Sequence, residues 1–149
     1  MFPIGRLDKD TTGLLLFTND GQLGHDLLHP SRHVDKRYIA TVEGRLSKND
    51  VIALEQGVML EDGMTSPAQC ELLAYDEKRN LSTVALTIHE GRKRQVRRML
   101  KSVGHEVKAL HRDTFGPLDI GDLATGAWRT LTEAEIEKLT TQPSTSRHP

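Results

Sequence analysis

The chain has 149 residues, of which 36% are hydrophobic and 28% are charged, and its formal net charge is -1. This size and composition predict one globular domain that buries a core without disulfide staples. No apolar run has membrane-spanning length and no secretory signal opens the chain, so no membrane partner is expected. The single cysteine, Cys70, excludes an internal disulfide framework and favours a reducing compartment, the cytoplasm.

The first half of the chain predicts short strands and helices in turn. An apolar run at residues 14–18 predicts a buried strand, and Asp20 is placed to cap a helix that ends near Leu28. Residues 37–42 predict a strand with Tyr38, Ala40 and Val42 on one face. Ser47 is a good N-cap for a helix over residues 48–56, and Gly57 suits its end.

The second half contains the clearest helix. Residues 68–75 and 81–89 predict two strands joined by a polar turn. Residues 93–103 predict a helix because Val96, Met99, Leu100 and Val103 recur at helical spacing. A strand over residues 107–111 and a helix capped by Thr132 follow. Strands outnumber helices and often follow one another directly. The predicted fold class is therefore α+β, a mixed, largely antiparallel sheet with flanking helices.

Positive charge is concentrated in one window despite the near-zero net charge. Residues 89–112 contain eight lysines and arginines and only two glutamates. The eight are Arg92, Lys93, Arg94, Arg97, Arg98, Lys101, Lys108 and Arg112. Such a patch is typical of a surface that binds a phosphate backbone, although a solvated helix face would give the same pattern.

Three separated motifs carry the residues from which chemistry is expected. The first reads Gly-Arg-Leu-Asp at residues 5–8 and Thr-Gly-Leu-Leu at residues 12–15. The second is Lys-Arg-Tyr at residues 36–38, and the third is Glu-Gly-Arg-Lys-Arg-Gln-Val-Arg-Arg-Met at residues 90–99. In this order and at these spacings they resemble the RNA pseudouridine synthases, in the branch of the small-subunit ribosomal enzyme A and its large-subunit relatives.

The resemblance implies the pseudouridine synthase catalytic fold and the isomerisation of uridine in ribosomal RNA, with the small-subunit RNA favoured and the large-subunit RNA second. Asp8 is then the catalytic nucleophile or base, Tyr38 stacks on the flipped uracil, and Arg97 keeps Asp8 ionised. Isomerisation needs no redox change and no external reactant, so neither a cofactor nor a metal is expected. Lys9 and Asp10 are expected to shape the loop around Asp8 and its electric field.

The resemblance also implies residues that hold the RNA. Arg6 is expected to fill the space left by the flipped base or to hold a phosphate, and Leu110 is expected to support the pocket wall. Flipping a base costs a few kcal/mol, so several phosphate contacts are needed to offset it. The candidates are Arg92, Lys93, Arg94, Arg98, Lys101 and Arg112.

Members of this branch carry sequence before the Gly-Arg-Leu-Asp motif, and four residues cannot contain it. That sequence comprises a small basic RNA-binding domain and the first part of the catalytic domain. Residues 1–139 are therefore expected to form a partial catalytic domain with its N-terminal part missing, and residues 140–149 a disordered tail. An absent strand would leave a sheet edge open, so dimerisation through that edge is also expected.

Two other functions remain open on the residues alone. A non-catalytic module for ribosomal RNA binding or ribosome assembly would keep the fold and the basic patch, and it would bind RNA without forming pseudouridine. A carboxylate glycosidase would need a second acid at a set separation, which no motif here convincingly supplies. Taken without its neighbours, Asp8 is more often a turn residue, and Tyr38 a packing residue.

Overall fold

A computed structural model describes residues 2–28, 34–119 and 129–141 and has an α+β fold. This is the predicted fold class. The helices are α1 (Gly21–Leu28), α2 (Lys48–Gln56), α3 (Gln95–Ser102) and α4 (Glu133–Thr141). The strands are β1 (Phe2–Ile4), β2 (Thr11–Gly13), β3 (Leu16–Thr18), β4 (Lys36–Glu43), β5 (Met59–Leu60), β6 (Gly63–Met64), β7 (Gln69–Asp76), β8 (Leu81–Ile88), β9 (Val107–Phe115) and β10 (Leu118–Asp119).

Strand β4 lies inside a six-stranded sheet and pairs antiparallel with β8 on one side and β9 on the other. Strand β7 pairs antiparallel with the far side of β8. The far side of β9 pairs with β10, which is antiparallel, and with β2, which is parallel. The sheet is therefore mixed and largely antiparallel, as the sequence predicted. Strands β1 and β3 form a separate ladder, and β5 and β6 form a hairpin.

The main core covers the sheet face that carries alternate residues of β4. Ala40 and Val42 are fully buried, and Tyr38 is half-buried against the same cluster. Helix α3 contributes its predicted apolar stripe, because Val96, Met99 and Leu100 lie in this core and Val103 packs at its margin. The helical spacing read from the sequence therefore identified the buried face of α3.

A second, smaller core joins the two ends of the described chain. It brings β1, β3 and α1 together with β9, β10 and α4. Its buried members are Ile4, Leu16, Leu27, Phe115, Leu118 and Leu139. The short N-terminal strands are thus held by long-range packing, which is what marginal three-residue strands require.

Side-chain caps begin three helices at the predicted residues. Asp20 Oδ1 accepts hydrogen bonds from the first-turn backbone of α1 at 3.0 and 3.1 Å. Ser47 forms a capping box at α2, and Thr132 accepts from the first turn of α4 at 3.1 Å. Helix α4 continues to Thr141, two residues into the predicted tail. Residues 142–149 of that tail lie outside the described residues.

The predicted buried strand over residues 14–18 begins later, at Leu16, as β3, and its Phe17 is exposed; strand β2 before it was not predicted. Strand β2 ends at Gly13, β3 begins at Leu16, and the two have different partners. Gly13 has a φ of +116°, and the Leu14 N–H donates to the Arg112 carbonyl at 2.7 Å, so the chain leaves the β9 ladder there. The Thr-Thr-Gly sequence of β2 has no apolar alternation that would predict a strand, and its pairing with β9 is a tertiary contact.

Candidate active site

Asp8 lies in the turn that leads into β2. The Thr11 N–H donates to the Asp8 carbonyl at 2.9 Å and closes this turn. Thr11 then pairs with Leu110 in the parallel β2–β9 ladder, which fixes the turn against the sheet. The Asp8 side chain is 31% exposed. The Asp8 carboxylate therefore lies just before a strand that is fixed against the sheet, and it remains accessible to solvent and to a ligand.

Two arginines from the third motif converge on this turn. Arg94 Nη1 lies 3.9 Å from Asp8 Oδ2 and 3.3 Å from Asp10 Oδ1. Arg97 Nη2 lies 3.4 Å from Asp10 Oδ1 and donates to the Asp10 carbonyl at 2.9 Å. The hydrogen bond from Arg94 is the largest of the effects that hold the pKa of the Asp10 carboxyl below its ordinary value. The first and third motifs, nearly ninety residues apart, therefore form one charged cluster.

The structure corrects the expected pairing within this cluster. The arginine within ion-pair distance of Asp8 is Arg94, whereas Arg97 contacts Asp10. Arg94 was expected to face solvent or phosphate. It instead precedes α3 with a φ of +53°, so the helix begins at Gln95, two residues later than predicted. Periodicity along a helix cannot place a side chain that precedes the helix, so the sequence did not indicate the contact of Arg94 with the Asp8 turn.

Arg97 has a semi-buried position on α3. Its side chain is only 13% exposed, and its Nε is buried without a hydrogen-bond partner in the part of the chain that the structure describes. A buried guanidinium with a free donor has capacity for one more acceptor. Arg97 is therefore held close to the Asp8 turn without being fully satisfied there.

Tyr38 lies on the same sheet face as the main core, and β9 separates its strand from β2. It pairs with Leu86 on β8 and with Arg112 on β9. Leu110 is 5% exposed and pairs with Ala40 on one side and Thr11 on the other. A register shift beside Arg37 and Tyr38 skips Asp113, so the alternation of β9 is interrupted at this point, while β4 pairs regularly with β8. Such irregularities are common beside functional sites, where they turn a side chain toward a ligand.

Lys36 is a half-buried residue whose individual role the sequence did not predict. Its Nζ donates to the Glu90 carbonyl at 3.0 Å, which joins the second motif to the third. Burial lowers the pKa of Lys36 to about 8, and the charge of Arg112 adds to this effect, while Asp35 and Glu90 oppose it. The sequence feature that could have pointed to Lys36 is its position. It precedes Tyr38 by two residues on one strand and therefore lies on the same face of the sheet.

Arg112 is not a surface contact for phosphate, contrary to the sequence prediction. It is 3% exposed, its Nε donates to the Leu14 carbonyl at 2.9 Å, and its guanidinium lies 5.4 Å from the centre of the Phe115 ring. Strand β9 extends to Phe115 rather than ending near residue 111, which carries Arg112 into the interior. This arginine therefore holds the bend between β2 and β3, within the first motif.

Arg92 and Arg98 are engaged by the β5–β6 hairpin rather than free. Arg98 binds both carboxylate oxygens of Asp62 at 2.9 and 3.2 Å. Arg92 donates to the Met64 carbonyl at 2.6 Å and pairs with Glu90 at 2.9 Å. An open depression of about 440 Å³ lies between this hairpin and the start of α3, and it is lined by Glu61, Asp62, Lys93, Arg94 and Arg98.

Three of the predicted RNA-binding residues have an exposed charge that is not paired within the described part of the chain. Arg6, Lys93 and Lys101 are exposed, and none of them forms an ion pair with another described residue. They can bind phosphate without first breaking an intramolecular contact. Within the described ranges there is neither a cluster of three potential metal ligands nor a helix long and apolar enough to cross a membrane.

Comparison with known proteins identifies the family. The model of the RNA pseudouridylate synthase family matches residues 1–102, which include all three motifs. The chain belongs to this family. A solved structure described as a pseudouridylate synthase superposes with a TM-score of 0.84 at 41% identity, and the match covers 92% of this chain and 58% of that one.

Curated pseudouridine synthases for both ribosomal subunits are similar to the chain. Ribosomal large subunit pseudouridine synthase B of Bacillus subtilis is 49% identical over 139 residues, which are 93% of this chain and 57% of that protein. Ribosomal small subunit pseudouridine synthase A of Escherichia coli is 42% identical over 138 residues, which are 91% of this chain and 57% of that protein. The chain thus spans little more than half the length of these pseudouridine synthases.

Proposed function

We propose that the chain catalyses, or forms the catalytic part of a protein that catalyses, the isomerisation of uridine to pseudouridine in ribosomal RNA. The observation that carries this proposal is the convergence of Arg94 and Arg97 on the turn that holds Asp8. Asp8 belongs to the segment that matches the family model. Tyr38 is carried on the same sheet, one strand beyond the strand that pairs with β2.

The reaction breaks the bond between C1′ and N1 of the uridine and forms a bond between C1′ and C5. The proton on C5 is released and N1 gains a proton, so atoms and electrons balance without an oxidant or a second substrate. An ionised carboxylate has the required chemistry, either as a nucleophile toward the sugar or ring or as a base toward a proton. Asp8 takes this role, and Arg94 Nη1 lies 3.9 Å from its carboxylate.

Tyr38 takes the role of a stacking surface for the flipped uracil, since its ring is half-buried at the margin of the main core. Base–aromatic stacking is worth about 1–3 kcal/mol, which offsets part of the cost of flipping. Phosphates of the flanking nucleotides bind Arg6, Lys93 and Lys101, whose charges are exposed. Arg92 and Arg98 join them if the RNA displaces Asp62.

The target RNA follows from the relatives rather than from the site. Identity is 49% to the synthase named for the large subunit and 42% to the synthase named for the small subunit. The sequence motifs favoured the small-subunit RNA, so both RNAs are candidates and the large-subunit RNA is the first to test. Mapping pseudouridines in ribosomal RNA from a strain that lacks the gene identifies the modified position.

Substituting Asp8 by Asn tests the catalytic assignment. The substitution keeps the shape of the side chain and removes the charge, so we expect pseudouridine formation to fall by at least about 10³-fold. RNA binding should stay within about twofold of the wild type, because a neutral amide removes no phosphate contact. The measurement is tritium release from ribosomal RNA that contains 5-tritiated uridine, in this chain and in any longer protein encoded by the sequence upstream of Met1.

Asp26→Asn is the matched control, because Asp26 is an exposed carboxylate on α1 that bonds only within that helix among the contacts described. Turnover by Asp8→Asn at the wild-type rate would exclude Asp8 as the catalytic carboxylate. Tight, salt-dependent RNA binding by a wild type that forms no pseudouridine would favour the alternative function, a non-catalytic module that binds ribosomal RNA.

A further inference from the structure

Asp10 is the carboxylate most closely engaged with the two arginines of the site. Its Oδ1 lies 3.3 Å from Arg94 and 3.4 Å from Arg97, and its carbonyl accepts from Arg97 at 2.9 Å. Asp8, by contrast, has a single arginine within ion-pair distance, at 3.9 Å. Asp10 therefore makes more contacts than Asp8 with the two arginines of the third motif.

The need for such a residue follows from charge. Arg94 and Arg97 are three residues apart, and both reach toward the turn that holds Asp8, so their guanidinium groups repel each other. Asp10 Oδ1 lies within 3.5 Å of a guanidinium nitrogen of each and neutralises that repulsion. With Asp8 included, two negative charges face two positive charges, and the cluster as a whole is neutral.

The contacts of Asp10 also restrict where the arginines can lie. Arg94 is 42% exposed on its side chain, so without a fixed partner it would sample many conformations in solvent. Arg97 is 13% exposed and is held by both the carboxylate and the carbonyl of one residue. Because these acceptors belong to the turn that carries Asp8, the distance between the arginines and Asp8 is determined within the same short loop.

We propose that Asp10 is a positioning residue, which holds Arg94 and Arg97 where their charge acts on Asp8 in the transition state. This inference rests on the proposed isomerisation and adds a second acidic residue to its machinery. Asp10 itself does not touch the reacting atoms, because its carboxylate is already occupied by the two guanidinium groups. The hydrogen bond from Arg94 lowers the pKa of the Asp10 carboxyl, which agrees with a carboxylate that is engaged by the guanidinium groups.

Asp10→Asn separates charge from shape. Asparagine keeps the size of the side chain and the backbone carbonyl that binds Arg97, but it cannot neutralise two guanidinium groups. We expect the single-turnover rate constant to fall about 10- to 100-fold, as displacements near 1 Å in active sites do. RNA affinity should stay within about twofold, because no phosphate contact is removed. Asp10→Glu should recover part of the rate, since it restores the charge at a slightly longer reach.

The measurements are single-turnover pseudouridine formation at saturating protein, RNA affinity by filter binding, and urea unfolding for each variant. Asp26→Asn serves as the matched control. A purely structural role would lower the stability or the fraction of active protein, and Asp10→Glu would be no better than Asp10→Asn. That result, or a rate within twofold of the wild type for Asp10→Asn, would overturn the positioning role.

The same assay distinguishes this inference from the function on which it rests. A wild type that forms no pseudouridine overturns both. An active wild type that loses activity in Asp8→Asn but keeps it in Asp10→Asn leaves the proposed function in place and removes the positioning role alone. Slow turnover of Asp10→Asn with unchanged RNA affinity and partial recovery in Asp10→Glu supports both.

Discussion

Lys36 is a charged residue that the fold partly buries beside the candidate site. Its Nζ donates to the Glu90 carbonyl, but Lys36 forms no ion pair with any residue that the structure describes, and Arg112 adds repulsion. A lysine in this situation favours its neutral form, and its pKa falls from 10.5 to about 8. Strongly perturbed groups gather at functional sites, and Lys36 shares the face of Tyr38.

We expect Lys36→Met to stabilise the chain near pH 6.5. The fall of the pKa from 10.5 to about 8 corresponds to about 3 kcal/mol of unfavourable burial, and loss of the Glu90 hydrogen bond offsets about 1 kcal/mol of the gain. The net gain is about 1–2 kcal/mol in the free energy of unfolding. Urea unfolding of the variant and the wild type measures it.

The expected gain in stability depends on pH, because the pKa of Lys36 differs between the folded and the unfolded state. Between pH 8 and 10.5 the unfolded state binds more protons at Lys36 than the folded state, so the wild type gains stability at this residue as the pH rises. The advantage of Lys36→Met should therefore shrink by more than half near pH 10. Lys48→Met, at an exposed position in α2, is the control and should show no such trend. Equal destabilisation by Lys36→Met at both pH values would contradict the prediction.

At the scale of elements, the three-residue strand β2 decides where Asp8 lies. Its parallel ladder with β9 is the contact that places the Asp8 turn opposite α3. The ladder closes tightly at Gly13, where a Cβ would collide with the backbone of Arg112. Gly13 also has a φ of +116°, which residues with a side chain rarely adopt. Glycine is required here for two independent reasons.

Gly13→Ala should lower the free energy of unfolding by at least about 2 kcal/mol, because both the backbone conformation and the close approach to β9 are lost. Pseudouridine formation should fall with it, since the Asp8 turn loses its attachment. Urea unfolding and the tritium-release assay measure the two effects. Gly21→Ala is the control. No atom would lie within 4 Å of the added Cβ, and Gly21 is the first residue of α1. The free energy of unfolding of this variant should differ from the wild type by less than about 0.5 kcal/mol. Similar effects of both substitutions would contradict this account of β2.

The β5–β6 hairpin is the element that limits the basic surface. Asp62 at its turn binds Arg98 with both oxygens and lies 3.3 Å from Arg92, and the Arg98 hydrogen bond is the largest cause that lowers the pKa of Asp62. Phosphate of an RNA strand would have to replace this carboxylate to reach either arginine. The hairpin therefore divides the predicted basic patch into paired and unpaired cations.

For the molecule as a whole, the net charge of -1 conceals the local positive surface that is predicted to bind RNA. A net charge of -1 suggests no affinity for nucleic acid, yet the exposed cations Lys93 and Lys101 lie in and beside α3. Outside residues 89–112 the chain has 12 lysines and arginines and 19 aspartates and glutamates, a net charge of -7. This negative charge should limit non-specific attraction, so RNA affinity should depend on the local basic surface. The predicted cytoplasmic location and the predicted dimer stay predictions. For the dimer, β7 offers exposed Leu72 and Leu73 at the outer side of the sheet.

Replacing Lys93 and Lys101 together by Ala should weaken RNA binding and reduce the slope of log K against log salt concentration by about 1–2, because each phosphate contact contributes about 0.7–0.9 to that slope. Filter binding over a range of KCl concentrations measures both quantities. Lys78→Ala is the control, since Lys78 is exposed in the turn between β7 and β8. An unchanged slope in the double variant would place the RNA elsewhere on the surface.

The sequence by itself determined the features that depend on neighbours along the chain. Ser47 and Thr132 cap the helices they were expected to cap, and the apolar stripe of α3 faces the core. The three motifs also identified the family, because their order and spacing are properties of the sequence. Capping and helical periodicity act over three to seven residues, so they can be read without knowledge of the fold.

Only the tertiary structure decided which charges meet and which are buried. The pairings of Arg97 with Asp10 and of Arg98 with Asp62 join residues 87 and 36 positions apart, and Arg112 is buried against Leu14 across 98 positions. An arginine in a sequence has the same charge whether it binds phosphate, a neighbouring carboxylate or a backbone carbonyl. Its partner is determined by the strand or turn that the fold brings within about 4 Å, and no local pattern contains that information.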